Sequence, residues 1–164
     1  MGRKHSYTLM SMMKDEGHSL LEWVAYHRLV GFDNICVYTN NCSDGTDLML
    51  KRLEAMGLCR HFENELRPGQ RPQPKALKRG TSNAAVMDSD WIMVVDADEF
   101  LNVKTGEGRV EDLVAAMPRD TDGMCIAWRF FGSAGHKLWT TDPVIEQFQH
   151  AAPDGFRQGW GVKT

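Results

Sequence analysis

The chain has 164 residues, 42% hydrophobic and 25% charged, which is the make-up of one folded domain around a single core and not of a disordered or collagen-like polymer. Nineteen Lys and Arg stand against 22 Asp and Glu, a net charge of -3, so there is no basic excess to hold a polyanionic backbone and no nucleic-acid partner is expected. No stretch reaches the roughly 18–20 apolar residues of a membrane span, and the first ten residues lack a signal peptide's apolar run, so no transmembrane segment is expected and the cytoplasm is the expected location. Met1-Gly2-Arg3-Lys4-His5-Ser6 fits a short myristoylation pattern, the one feature pointing to a peripheral place at a membrane.

The apolar run Tyr7 to Met13 emptying into Lys14-Asp15-Glu16-Gly17 predicts a buried strand with a polar exit. Ser19 and Glu22 have capping-box spacing, and Leu20, Trp23, Val24 and His27 follow at helical spacing until Gly31, which predicts an amphipathic helix. Ile35 to Tyr38 reads as a second strand. The turn-forming string Asn40 to Gly45 then leads into a helix through Met56, capped by Gly57. Leu58 to Phe62 reads as a third strand, and the proline-rich stretch from Arg67 to Pro74 as a loop.

Lys75 to Met87 predicts a helix weakened by Gly80, and Trp91 to Val95 a strand buried on both faces of a parallel sheet. A further helical stripe, Val110, Leu113, Val114 and Met117, ends at Pro118, and Met124 to Phe131 predicts another strand before Gly132-Ser133-Ala134-Gly135-His136. Strand and helix alternate throughout, so the expected fold is α/β, a mostly parallel sheet flanked by helices in one domain over 1–164. Gly159 to Thr164 reads as a strand cut short, which suggests that the C-terminal part of the domain is missing. Cys36, Cys42, Cys59 and Cys125 are too widely spaced for a Cys-x-x-Cys motif, and Cys36 and Cys125 fall in apolar runs where a small buried thiol is expected.

Ligands of open α/β sheets bind beyond the carboxyl ends of the strands. Three polar clusters are expected there: Lys14 to Glu16, Asn40 to Asp44 and Asp96 to Glu99. Three carboxylates within four residues repel one another unless a cation is present. On an extended chain Asp96 and Asp98 would point the same way and offer hard oxygens to Mn²⁺ or Mg²⁺. The competing account has Asp96 capping a helix or a turn while the other acids are solvated.

The whole pattern resembles glycosyltransferases of the GT-A fold, in the family 2 group and its relatives near family 92. Four segments carry the likeness: Met13 to Glu16 with Leu21 to Arg28, then Ser43-Asp44-Gly45-Thr46, then Val95 to Leu101, then Trp128 to His136. The resemblance implies a metal-dependent enzyme that moves a sugar from a nucleotide-diphosphate donor, UDP-sugar by default, to a glycan or other hydroxyl acceptor, with inversion. It implies that Asp96 and Asp98 hold the metal and the donor's ribose or diphosphate, with Asp98 the direct ligand. Glu99 would bind donor or acceptor hydroxyls, or serve as a cap or a lysine's partner. Lys14, Asp15, Glu16, Asn40 and Asp44 would hold base and ribose, with Asp44 also able to cap the next helix.

His136, after two glycines and a serine, is a candidate third metal ligand or a loop histidine bonded to backbone. His27 is expected as a packed, hydrogen-bonded core histidine. Trp128 and Trp139 could stack on a sugar, although Trp128 suits the core. Glu146 and Asp142 are the carboxylates available as general base for a direct displacement. Two alternatives remain open: a nucleotide-sugar-binding remnant without catalysis, and a haloacid-dehalogenase-type phosphatase with Asp96 as nucleophile.

Overall fold

The computed structural model describes residues 5–138, 140–153, 156 and 162–163. They divide into two compact units, Met1–Arg119 and Asp120–Thr164. The first contains a four-stranded parallel sheet made of β1 (Tyr7–Met13), β2 (Asn34–Thr39), β3 (Arg60–Glu63) and β4 (Trp91–Val94), in the order β3-β2-β1-β4. The α/β expectation holds. β1 runs over the residues its apolar run predicts, and it lies in the middle, with Met10 opposite Cys36 of β2 on one side and Val94 of β4 on the other.

Strands and helices alternate as right-handed crossover connections require. α1 (Leu20–Val30) joins β1 to β2, and α2 (Thr46–Ala55) joins β2 to β3. α3 (Pro72–Gly80) and α4 (Ala84–Met87) lie between β3 and β4, and α5 (Val110–Ala115) follows the sheet. On one face Met10, Cys36 and Tyr38 pack against Ala76 of α3 and Val86 of α4. Strand alternation sends Leu9, Ile35 and Val37 to the other face, and Leu20, Trp23 and Val24 of α1 and Leu50 of α2 are buried as well.

Several local expectations are corrected. Ser19 takes the N-cap position of α1, but its side chain makes no capping bond, because its backbone is already helical (φ -108°, ψ -9°) and its hydroxyl reaches back to the Glu16 carbonyl at 3.5 Å. Gly31 does end the helix, in the left-handed conformation (φ 110°) that a Cβ would oppose. The proline-rich loop stops at Arg71, three residues before Pro74, since α3 begins at Pro72. A proline at the first helical position loses no hydrogen bond and has its φ preset. The predicted helix from Lys75 to Met87 is two helices, broken after Gly80, and the exposed Ile92 shows that β4 is not covered on both faces.

The second unit has β5 (Ile126–Ala127) paired antiparallel with β6 (Val162–Lys163), and a short α6 (Val144–Gln147). The strand predicted from Met124 to Phe131 is thus two residues long, with one further bridge between Phe131 and Ala151. Cys125 and Trp128 are exposed, against the burial expected of them, because so short a ladder has no second layer over it here. Cys36 is fully buried, and burial pushes its thiol up to about 11. Among the described residues no helix is long and apolar enough to cross a membrane. The myristoylation-like start (Met1 to Lys4), Trp139, and Gly159 to Gly161 with Thr164 lie outside the described residues.

Candidate functional site

The strand order reverses at β1: the chain builds outward to β2 and β3, then returns to place β4 on the opposite side. A crevice opens beyond the carboxyl ends of the strands at such a switch point, and this is where doubly wound sheets bind ligands. Two of the three acidic clusters leave the sheet at this place, Lys14 to Glu16 after β1 and Asp96 to Glu99 after β4, while the third, Asn40 to Asp44, follows β2.

The Asp96 to Glu99 segment is a tight turn and not an extended strand. The Glu99 amide donates to the Asp96 carbonyl at 3.2 Å, and the Asp96 amide donates to the Glu99 carboxylate at 3.0 Å. The extended-chain reason for Asp96 and Asp98 pointing together therefore fails, because the chain reverses between them. Asp96 and Glu99 are half-buried, Ala97 is buried and Asp98 is exposed. Asp98 makes no hydrogen bond among the described residues. Glu99 closes the turn on itself, so its cap-like role is realised locally rather than at a helix.

α1 holds this turn. The buried Trp23 directs its indole N–H at two carbonyls at once, Asp96 at 3.1 Å and Glu99 at 3.0 Å. One turn on, the Tyr26 hydroxyl donates to the Leu101 carbonyl at 3.0 Å. His27 Nε2 receives the Leu101 amide at 3.4 Å, which leaves Nδ1 to donate to the Trp23 carbonyl at 2.9 Å. Burial holds the His27 imidazole down at about 4, neutral at physiological pH, as expected for a packed core histidine. Its ring stacks near Phe100, with 5.9 Å between centroids. The roles of Trp23 and Tyr26 are not visible in apolar periodicity, which tells which face is buried but not what a ring's polar atom meets.

The other two clusters are tied to each other. Asp44 accepts from the Thr46 amide (2.9 Å) and hydroxyl (2.6 Å) through one oxygen, and from the Gly17 amide (2.8 Å) through the other. These bonds, the Thr46 hydroxyl first, pull its carboxyl down to about 2. The Thr46 hydroxyl in turn accepts from the Glu16 amide at 2.8 Å. Asp15, at a left-handed φ of 58°, accepts from the Ser43 amide (2.5 Å) and hydroxyl (3.2 Å). Asp15 and Asp44 thus fasten the β1 exit to the start of α2, where Gly45 occupies the N-cap position and Asp44 acts from one residue before it.

Lys14 is exposed and Asn40 half-buried beside them. Burial raises the Glu16 carboxyl, a nearby His18 offsets this, and the negative charges of Asp98, Asp44 and Asp15 raise it further. Glu16 and Asp98 are therefore close enough to feel each other's charge, which joins the exits of β1 and β4 into one acidic rim.

No three His, Cys, Asp or Glu side chains converge as a metal cage among the described residues. The arrangement instead suits a hard cation bound by one or two carboxylates whose remaining coordination comes from phosphate oxygens and water, the usual manner of Mg²⁺. Asp98, exposed and without a hydrogen bond to give up, meets that description.

The remaining candidates lie in the second unit. His136 is exposed, its amide bonded to the Ser133 carbonyl at 2.9 Å across a turn in which Ala134 and Gly135 have positive φ, and its ring rests edge-on to Phe148. Asp142 is exposed and accepts from the Thr140 hydroxyl at 3.0 Å, and Glu146 is exposed in α6.

The chain is glycosyltransferase-like in sequence: its similarity is to proteins of glycosyltransferase family 92. It is 28% identical over 109 residues to a family 92 protein of Ricinus communis, a match covering 63% of this chain and 18% of that one. It is 25% identical over 105 residues to one of Oryza sativa subsp. japonica (61% and 17%) and 29% identical over 104 residues to one of Arabidopsis thaliana (60% and 17%). The chain thus matches less than a fifth of the length of these relatives. No protein-family model matches it. Among solved structures, glucosyl-3-phosphoglycerate synthase of Mycobacterium tuberculosis in complex with uridine diphosphate is 20% identical with a TM-score of 0.40, over 60% of this chain and 35% of that one.

Proposed function

We propose that the chain is the donor-binding part of a glycosyltransferase, taking a nucleotide-diphosphate sugar, UDP-sugar first among them, at the acidic rim beyond β1 and β4. The observation that carries this reading is the clamped turn Asp96 to Glu99 at the sheet's switch point, with the exposed Asp98 within electrostatic reach of Glu16. The likeness to family 92 glycosyltransferases supports it.

Asp98 is the proposed direct ligand of Mn²⁺ or Mg²⁺, with Asp96 nearest the donor's ribose or diphosphate. A cation bound there would neutralise the charge that develops on the leaving diphosphate. Lys14 and Asn40 are free to meet the nucleotide, whereas Asp15 and Asp44 shape the loop that meets it. An acceptor hydroxyl, on a glycan or another molecule, must lose its proton as it attacks. Asp142 and Glu146 are the carboxylates proposed to take it, in a transfer that inverts the sugar carbon.

The test is calorimetric titration of UDP with and without Mn²⁺, in the parent chain and in Asp98→Ala. The expected result is a Mn²⁺-dependent gain in UDP affinity that Asp98→Ala removes. The same gain in both proteins refutes the site.

A further inference from the structure

The hydrogen bonds that Trp23 of α1 gives the acidic turn go to the main chain. The Trp23 indole N–H lies between the Asp96 and Glu99 carbonyls, the first and last residues of the turn, at 3.1 and 3.0 Å. The Tyr26 hydroxyl and the His27 ring hold the carbonyl and the amide of Leu101, two residues beyond. Trp23, Tyr26 and His27 stand at i, i+3 and i+4, one face of a helix, so three side chains grip one segment at three successive points. Trp23 and His27 are fully buried, which keeps water from competing for these carbonyls and fixes the grip in one geometry.

The Asp98 side chain, by contrast, has no partner of its own among the described residues to aim it. Its direction follows from the path of the turn, which its own Asp96–Glu99 bonds close and which the indole anchors to α1 through two of its carbonyls. We propose that Trp23 is a positioning residue for the metal and donor site, acting through the Asp96–Glu99 turn on Asp98, with Tyr26 reinforcing it from the Leu101 side. This rests on the donor-site reading above. Groups that orient a ligating side chain without touching the ion commonly change metal affinity by about 10–100-fold when they are lost.

Trp23→Phe keeps an aromatic ring in the core and removes the N–H together with the volume of the indole's five-membered ring, a packing loss that acts on the fold with and without Mn²⁺ alike. The expected result is a loss of about tenfold or more in the Mn²⁺-dependent part of UDP affinity, with metal-free UDP affinity unchanged. A merely structural role would lower both together, or neither. In a cycle with Asp98→Ala, Trp23→Phe has no further effect on metal-dependent binding, because the group it acts through is gone. Tyr26→Phe, at a half-buried position that tolerates the change, gives a smaller loss of the same kind and serves if Trp23→Phe fails to fold.

Equal losses with and without Mn²⁺, full retention in both variants, or additive effects in the cycle would overturn the positioning role. If Asp98→Ala itself leaves the Mn²⁺ dependence intact, the donor-site reading falls and this role with it. If Asp98→Ala removes the dependence while Trp23→Phe and Tyr26→Phe preserve it, the reading stands and the positioning role alone fails.

Discussion

Acid should loosen this protein through one residue in particular. His27 is wholly inside the core, its two nitrogens used by Leu101 and Trp23, and its pKa lies at about 4 against an ordinary 6.5. Desolvation of the imidazolium is the main cause. Because the folded value is the lower one, the unfolded chain takes up the proton first. The full contribution of the neutral ring is present above pH ~6.5 and is lost as the pH falls toward ~4.

At about pH 4.5 the unfolded histidine is almost wholly protonated and the folded one mostly neutral, which amounts to about 2–3 kcal/mol of lost stability from this group. His27→Gln keeps an acceptor for the Leu101 amide and cannot titrate. Urea unfolding at about pH 7 and 4.5 should show the parent losing about 2–3 kcal/mol more than His27→Gln over that interval. All carboxylates are common to the two chains and cancel in the difference. Parallel pH dependence would refute the claim that His27 is neutral and sealed.

Two further substitutions test the packing that supports the site. Thr46→Val keeps shape at a fully buried position but leaves the Glu16 amide without its 2.8 Å acceptor, which should cost about 1–3 kcal/mol and lower Tm by about 5 °C in a thermal scan. The same change should let the Asp44 carboxyl rise from about 2, visible in its NMR titration; in the parent, stability from Asp44 is present above the ordinary carboxylate range and lost as pH falls through about 2. Gly80→Ala would put a Cβ 2.6 Å from Sδ of the buried Met10, so the thioether must move within the core; at the last residue of α3 the gain in helix propensity is below the roughly 1 kcal/mol of a helix interior, and the urea midpoint should fall.

β1 and the end of α1 at Gly31 were legible because each rests on a local rule, an unbroken apolar run and a residue able to take positive φ. α3 was misjudged at its start, where Pro72 and Pro74 read as loop formers although the first turn of a helix accepts them. The second unit was less legible still. The apolar letters from Met124 to Phe131 predict a strand, but strand length depends on a partner distant in sequence, and among the described residues only Ile126 and Ala127 form a ladder, with Phe131 in an isolated bridge to Ala151.

At the site, the carboxylates and their place at the strand ends were readable, since strand ends and charge are both written in the letters. That Asp15 and Asp44 are spent on Ser43, Thr46 and Gly17, or that Trp23 meets two carbonyls some seventy residues away, is decided by tertiary geometry. The spacing Trp23-x-x-Tyr26-His27 was the available signal: three rings with polar atoms on one helical face, each needing a buried partner.

Since α1 grasps the carbonyls of Asp96, Glu99 and Leu101 and the Leu101 amide, none of these bonds depends on the side chain at the exposed position 98. A library randomised at the exposed position 98 alone, with the buried Ala97 kept, would leave all of those bonds available, so variants should fold and differ chiefly in what they bind. On the proposed donor-site reading, ion or donor preference would thereby be a replaceable cartridge, seated in a holder that never reads its label.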